Sequence, residues 1–442
     1  MTADGSAGWF AMDADRPARL VDFERTHRLL LDRMRGIGHP TELSPLAPLF
    51  LSRDSYRELF AITQRLVGLA SLTLAAIGED HYSQMRALGA DPVYLPAFLP
   101  TPDLEQSYAS CMVRPDIVLG PDGPRFVELN VGSGFAGVTE THVLHQVFTE
   151  VYSDANRWHP QVVDPFAARA RLLETVAAER SRERSVVIVG DPAEYDATER
   201  MFDLEVQALR KRSFRAAFMR PSDLADLPAA ERFSLGIRNF SMVDWVRSGT
   251  DPAPIRAVIS EGCLLLPSQS GVLLADKRLL ALVSEGLVCR SAADWAFTST
   301  YVPWTRIVGD RSVEWRGHRH NLAELIINAK DDLVLKRGIG NSGQEVTIGR
   351  DTDEATWRLT AMSAMDGSSV VQEYVPPQPY TLELMGEQGV AESAAVAPVL
   401  SPMLMGGRPA GCFARYIRAG TRESAVFCGA APWNETVAMP LS

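Results

Sequence analysis

Residues 111–130 read CMVRPDIVLGPDGPRFVELN, two alternating stretches joined through Gly-Pro-Asp-Gly. In an extended chain, residues two apart share a face, so Arg114 lies with Asp116 and Glu128 with Asn130. Val113, Ile117, Val127, Leu129 and Val131 are expected on the opposite face, packed on a core. A loop centred near Asp122 pairs Asp116 with Glu128 and Arg114 with Asn130 across an antiparallel ladder. Like charges directly opposite one another repel, so this register makes sense with a cation between the two carboxylates. Asp116, Glu128 and Asn130 offer the hard oxygen ligands that Mg²⁺ prefers, and Arg114 then points at an anion made beside it. A polar hairpin face can also simply meet water. The small residues that follow, VGSGFAG at 131–137, let a ligand approach the backbone and favour the chemical reading.

A second stretch, DLVLKRGIGNSGQEVTIG at 332–349, places Lys336 at the end of a strand. A loop with Gly338, Gly340 and Gly343 and a return strand come next. Such a flap can turn backbone N–H groups toward phosphate oxygens while the ammonium supplies charge. It is not a Walker A loop, because no Gly-Lys-Ser/Thr leads into a helix. Lys277, in LLADKRLLALVSE, stands near the start of an expected helix that Asp276 can cap, and it would bring positive charge to the other side of a phosphate chain. VVQEYVPP at 370–377 begins as a buried strand and ends in prolines. Its backbone can face an adenine edge, with Glu373 available for the exocyclic amine or a ribose hydroxyl.

The rest of the chain sets the frame. Its 442 residues exceed one ordinary core and suggest two or three packed units, and 46% apolar with 22% charged residues is a globular balance. Residues 1–110 read as a helical layer, with helical periodicity in RLVDFERTHRLLLDRM and YRELFAITQRLVGLASLTLAAI. Residues 111–184 carry the metal-binding strands and a helix near Thr139 to Tyr152. Residues 185–265 read as an α/β unit that opens with SVVIVG but lacks G-x-G-x-x-G after it. Residues 266–442 hold the nucleotide-binding lobes, ending in strands around a GGRPAG turn.

A net charge of −11 argues against a general affinity for nucleic acid or anionic membranes. Five dispersed cysteines without CxxC pairs suggest free thiols and a cytoplasmic protein, and no exported or membrane-spanning segment is expected. His142 with His145, and His318 with His320, lack the spacing of a zinc site.

Together, R-x-D, E-x-N, an isolated lysine, a Lys–Gly flap and an acidic hinge resemble the synthetase domain of glutathionylspermidine synthases and related circularly permuted ATP-grasp ligases. The metal-binding strand precedes the lysines here, whereas in an ordinary ATP-grasp chain it follows them. The resemblance runs from about residue 111 to the C-terminus and lacks the amidase domain of the bifunctional members. It implies an α/β ATP-grasp fold, circularly permuted, with an N-terminal helical layer and a pre-ATP-grasp-like α/β subdomain. It also implies Mg²⁺ on Asp116, Glu128 and Asn130, ATP phosphates on Lys277 and Lys336, adenine along Gln372, Glu373, Tyr374 and Val375, and Arg114 at the transferred phosphoryl group. Ser133 would contact the acid substrate, and Arg415 or Arg418 a substrate carboxylate. The implied activity joins a small-molecule carboxylate to an amine through an acyl phosphate; a phosphotransferase or a non-catalytic nucleotide-binding protein are the rivals. Substrates, pathway and oligomeric state do not follow from these residues.

Overall fold

The computed structural model describes residues 8–10, 22–37, 43–94, 98–131, 136–154, 161–195, 197–224, 227, 232–340, 345–386, 389–420 and 434–441. The chain begins with α1 (Phe23–Met34), strands β1 (Ser44–Pro45) and β2 (Leu49–Leu51), and helices α2 (Arg53–Ile77), α3 (His81–Leu88) and α4 (Pro102–Tyr108). Strands β3 (Met112–Gly120) and β4 (Gly123–Val131) precede α5 (Val138–Asp154) and α6 (Pro165–Glu179). An α/β run follows: β5 (Ser185–Gly190), α7 (Arg200–Lys211), β6 (Arg215–Met219), β7 (Leu235–Asn239), α8 (Met242–Ser248), α9 (Ala253–Ser260) and β8 (Leu264–Leu266). Next come α10 (Gly271–Ala275), α11 (Lys277–Ser284), α12 (Ala292–Tyr301), β9 (Thr305–Ile307), β10 (Ser312–Trp315), β11 (His318–Asn321) and α13 (Leu322–Asn328). The last part holds β12 (Leu333–Arg337), β13 (Val346–Ile348), α14 (Glu354–Ser363), β14 (Ser369–Glu373), β15 (Tyr380–Met385), β16 (Ala391–Met405), β17 (Arg408–Arg418) and β18 (Asn434–Pro440).

Local chemistry sets many boundaries. The Asp22 side chain accepts from Arg25 N and starts α1 there, later than the periodic run begins. Ser52 caps α2, and Asp80 forms a reciprocal box with Ser83 at α3. Two glycines at positive φ, Gly406 and Gly407, make the tight turn between β16 and β17, where Met405 pairs with Arg408. By length and composition alone α2 is long and apolar enough to cross a membrane, but its Leu59, Phe60, Leu66 and Leu74 are buried in the main core.

Eight strands form the largest sheet, in the order β1-β15-β16-β17-β18-β2, with β3 pairing β16 and β4 pairing β3. Short strands within the expected helical layer therefore form two of the sheet's terminal strands, and β4 is another: Ser44 pairs with Met385, and Leu49 lies parallel to Ala438. One face of this sheet joins the main core with apolar residues of α2 and α5. The α/β run builds a parallel sheet ordered β6-β5-β7-β8, and a smaller lobe is built on the sheet β13-β12-β14-β9 with Trp357 in its core.

The hairpin register agrees with the sequence reading where it matters and departs one residue later. Asp116 pairs with Glu128 and Arg114 with Asn130, but Ile117 pairs with Phe126, so Val127 is an extra, bulged residue. Val127 consequently leaves the core face expected for it. It clusters with Val118, Ala397, Val399 and Ile417 on the other side of the sheet, and Phe126 takes its place in the main core.

Candidate functional site

All nine residues of β3 are buried, because β16 flanks it on one side and β4 on the other. That setting places Asp116 at 4% exposure among fixed partners. Its Oδ1 accepts from Ser401 Oγ at 2.7 Å, its Oδ2 from Arg415 at 2.7 Å, and Arg114 Nε stands 3.6 Å away. Burial alone would raise the carboxyl's pKa; the guanidiniums of Arg415 and Arg114 and the Ser401 hydroxyl outweigh it and hold the group below its ordinary value. Arg114 also donates to Ala136 O at 2.5 Å, just before α5.

The lysines arrive from two other segments. Asp276 caps α11, as expected, and is gripped by Arg278 through both carboxylate oxygens. Lys277 lies between them in sequence; its backbone N–H donates to Gly338 O at 2.9 Å, and its Nζ reaches Glu128 Oε1 at 2.8 Å. Lys336 Nζ donates to Val127 O at 3.0 Å and to Gln372 Oε1 at 2.7 Å. Thus Lys277 and Lys336 land on adjacent residues of β4, one on a carboxylate and one on the carbonyl of the bulged residue.

The flap glycines differ in what they do. A Cβ on Gly338 would lie 2.4 Å from Arg278 Nε and 2.9 Å from Asp276 Oδ1, so this glycine docks the base of the flap onto α11. A Cβ on Gly340 would meet the Glu345 carboxylate at 2.3 Å. Gly343 and Ser133 lie outside the described residues.

At the hinge, Gln372 is buried and fixed between Lys336 and Thr305. The Glu373 carboxylate pairs with Arg316 at 3.0 Å, and the backbone N–H groups of Glu373 and Tyr374 donate to Trp304 O and Asp332 O. The edge expected to greet adenine therefore has two amides and one carboxylate engaged within the chain. Val375 packs against the apolar cluster around Val127. Arg415 joins the site, whereas Arg418 has the opposite strand parity and pairs with Glu392, away from Asp116. Sequence reasoning missed Ser401, Thr305 and Arg278. Ser401 is the one with a signal, a single hydroxyl in the apolar run VLSPMLM.

The carboxylates expected to hold a divalent ion are engaged within the chain, Asp116 by Ser401 and Arg415 and Glu128 by Lys277. Among the described residues no group of three or more His, Cys, Asp or Glu side chains is arranged for a metal, so Asp116, Glu128 and Asn130 would need further oxygens from a substrate. The Asn130 amide lies against Asp116, and its buried Nδ2 has no hydrogen-bond partner of good geometry. Turning that amide presents Oδ1, the atom a hard cation takes.

No protein-family model and no curated protein matches the sequence. Among solved structures, a glutathione synthetase-like effector from Globodera pallida superposes with a TM-score of 0.60 at 11% identity, covering 96% of this chain and 98% of that one. A protein described as a gamma-glutamylcysteine synthetase from Methylobacillus flagellatus gives a TM-score of 0.43 at 14% identity over 85% of this chain and 88% of that one. The D-cycloserine synthetase DcsG gives 0.30 at 17% identity over 58% of this chain and 91% of that one. The first likeness establishes that the two chains share a mixed α/β fold and nothing finer.

Proposed function

We propose that this chain is a circularly permuted ATP-grasp ligase that joins a carboxylate to an amine and releases ADP and phosphate. The observation that carries the reading is the meeting of Lys277 and Lys336 on neighbouring residues of the strand that also bears Glu128 and Asn130. Two ammonium groups from separate segments give a triphosphate positive charge on both sides.

Mg²⁺, when bound, is held by Asp116, Glu128 and Asn130 and neutralises phosphate charge. The residues of the chain do the rest. Lys277, paired with Glu128 at 2.8 Å, would turn to nucleotide phosphate, and Glu128 would then be open to the ion. Lys336, anchored by Gln372, holds its phosphate contact in a fixed place. Arg114 and Arg415 flank Asp116 and stabilise negative charge as a substrate carboxylate attacks the terminal phosphoryl group. The amine then displaces phosphate from the acyl phosphate, and the flap shields that intermediate from water. An amino acid or short peptide is the acid, and an amine or second amino acid the acceptor, in a cytoplasmic setting.

The test is ADP release across pairs of amino acids and amines with Mg·ATP, coupled to mass spectrometry of products. Amine-dependent ADP formation with an amide product is expected. A phosphorylated product without amine dependence would make the protein a phosphotransferase, and Mg·ATP binding without turnover a nucleotide-binding protein.

A further inference from the structure

Further along α5 from the candidate site, a cleft of about 470 Å³ opens between α1, α5 and the segment entering α6. His145 forms part of its lining at 3% exposure, and neither ring nitrogen has a hydrogen-bond partner. The space for that ring is made by β17: Gly411 has φ +92°, and a Cβ there would stand 3.1 Å from His145 Cε1. Burial drives the imidazole pKa down to about 4, so at neutral pH the ring is uncharged and offers one N–H donor and one acceptor.

The walls carry opposite charges already fixed in place. On one side Arg33 of α1 pairs with Glu150 of α5, which Arg25 also approaches at 3.5 Å. Glu150 takes Arg33 at NH2, and a guanidinium carries five N–H groups, so others can serve a ligand. On the other side Asp164 caps α6 through Ala167 N at 2.9 Å and pairs with His142 Nδ1. His142 is itself held by stacking on Phe166 and by Gln146, which donates to its Nε2 at 2.9 Å. A carboxylate has about four lone-pair sites, so Asp164 retains capacity toward the cleft.

We propose that this cleft binds a free α-amino acid as its zwitterion, carboxylate on Arg33 and ammonium on Asp164, with His145 hydrogen-bonding the side chain or a carboxylate oxygen. The volume suits a small polar ligand. A lone anion would face Glu150 and Asp164, and a lone cation would face Arg33; a molecule carrying both charges meets neither penalty. The site shares no residue with the candidate ATP site and does not depend on the ligase reading.

Calorimetric titration with the common L-amino acids, without ATP or Mg²⁺, tests it on the full chain and on Lys336→Ala. Binding of at least one amino acid in the micromolar to millimolar range is expected, equally in both proteins. Asp164→Asn keeps the helix cap, because Asn caps as Asp does, and Arg33→Gln keeps length and polarity; each should weaken binding at least about tenfold. Unchanged thermal melts of the two variants separate that loss from misfolding. The proposal fails if no amino acid binds at millimolar concentration, if both variants bind normally, or if Lys336→Ala abolishes the heat.

Discussion

The two hairpins that meet at the candidate site hold charge in different ways. In β3–β4 the decisive group, Asp116, is buried and fixed by Ser401, Arg415 and Arg114, all from strands of one sheet. In β12–β13 only Lys336 is a buried charge, and it reaches across to a different sheet to find Val127 O. One hairpin keeps its charges where its own fold puts them, and the other delivers charge across a gap. Structural loss and functional loss should therefore separate between the two.

The largest effect belongs to the delivered charge. Lys336→Ala should cut ADP release at least about 100-fold while the thermal melt stays near that of the parent, and near-normal turnover would break the assignment. Glu128→Gln should behave alike, since Glu128 is partly exposed and the amide oxygen that replaces its carboxylate can still accept from the buried Lys277 ammonium. Asp116→Ala, by contrast, strands Arg114 and Arg415 and should cost about 3–5 kcal/mol in denaturant unfolding as well as activity. A variant that loses activity with unchanged stability would show that Asp116 is not the electrostatic centre of its sheet. Gly338→Ala forces a methyl into Arg278 and Asp276 and should cost about 1–3 kcal/mol, with turnover falling because Lys277 is displaced.

Outside both hairpins, Glu194 supplies a pH control. Desolvation of the carboxyl beside Trp245, only partly offset by that ring's N–H, pushes its pKa up to about 7 against an ordinary value of 4.5, although the residue as a whole is exposed. As pH rises the unfolded chain ionises first, so stability should fall between about pH 4.5 and pH 7, by about 1–2 kcal/mol after allowing for partial exposure. Glu194→Gln should remove that slope in pH-dependent melts; a slope that persists would place the titration elsewhere. The smallest effect is expected at the hinge. Arg316 is half exposed, so Arg316→Ala should change stability by less than about 1 kcal/mol, yet shift KM for ATP more than kcat by releasing Glu373.

The same division explains what the sequence could reveal. Alternation and a loop centred near Asp122 were enough to pair Asp116 with Glu128, because both are local to one hairpin. The bulge at Val127 left no mark, since one inserted residue changes register without changing composition. Its effects lie far off in sequence, in the cluster that Val127 joins with Val399 and Ile417 and in the hydrogen bond its carbonyl accepts from Lys336, 209 residues away. Arg415 and Arg418 could not be told apart until β16 set the parity of β17, which turns one toward Asp116 and the other toward Glu392. At the hinge the motif spoke of open amides, but Trp304 O and Asp332 O come from elements whose approach no local pattern encodes. Edge strands β1 and β2 were too short for any periodicity to show.

The pairing of β3 with β16 also sets an order on biosynthesis. Asp116 leaves the ribosome beside Arg114 but long before its other two partners, which follow 285 residues later at Ser401 and 299 residues later at Arg415. During that interval the nascent hairpin carries its acidic group and one open edge without the strands that complete them, a situation in which chaperone shelter matters most. Premature termination before β16 would leave an N-terminal product with both carboxylates of the hairpin present and the sheet that orders them missing.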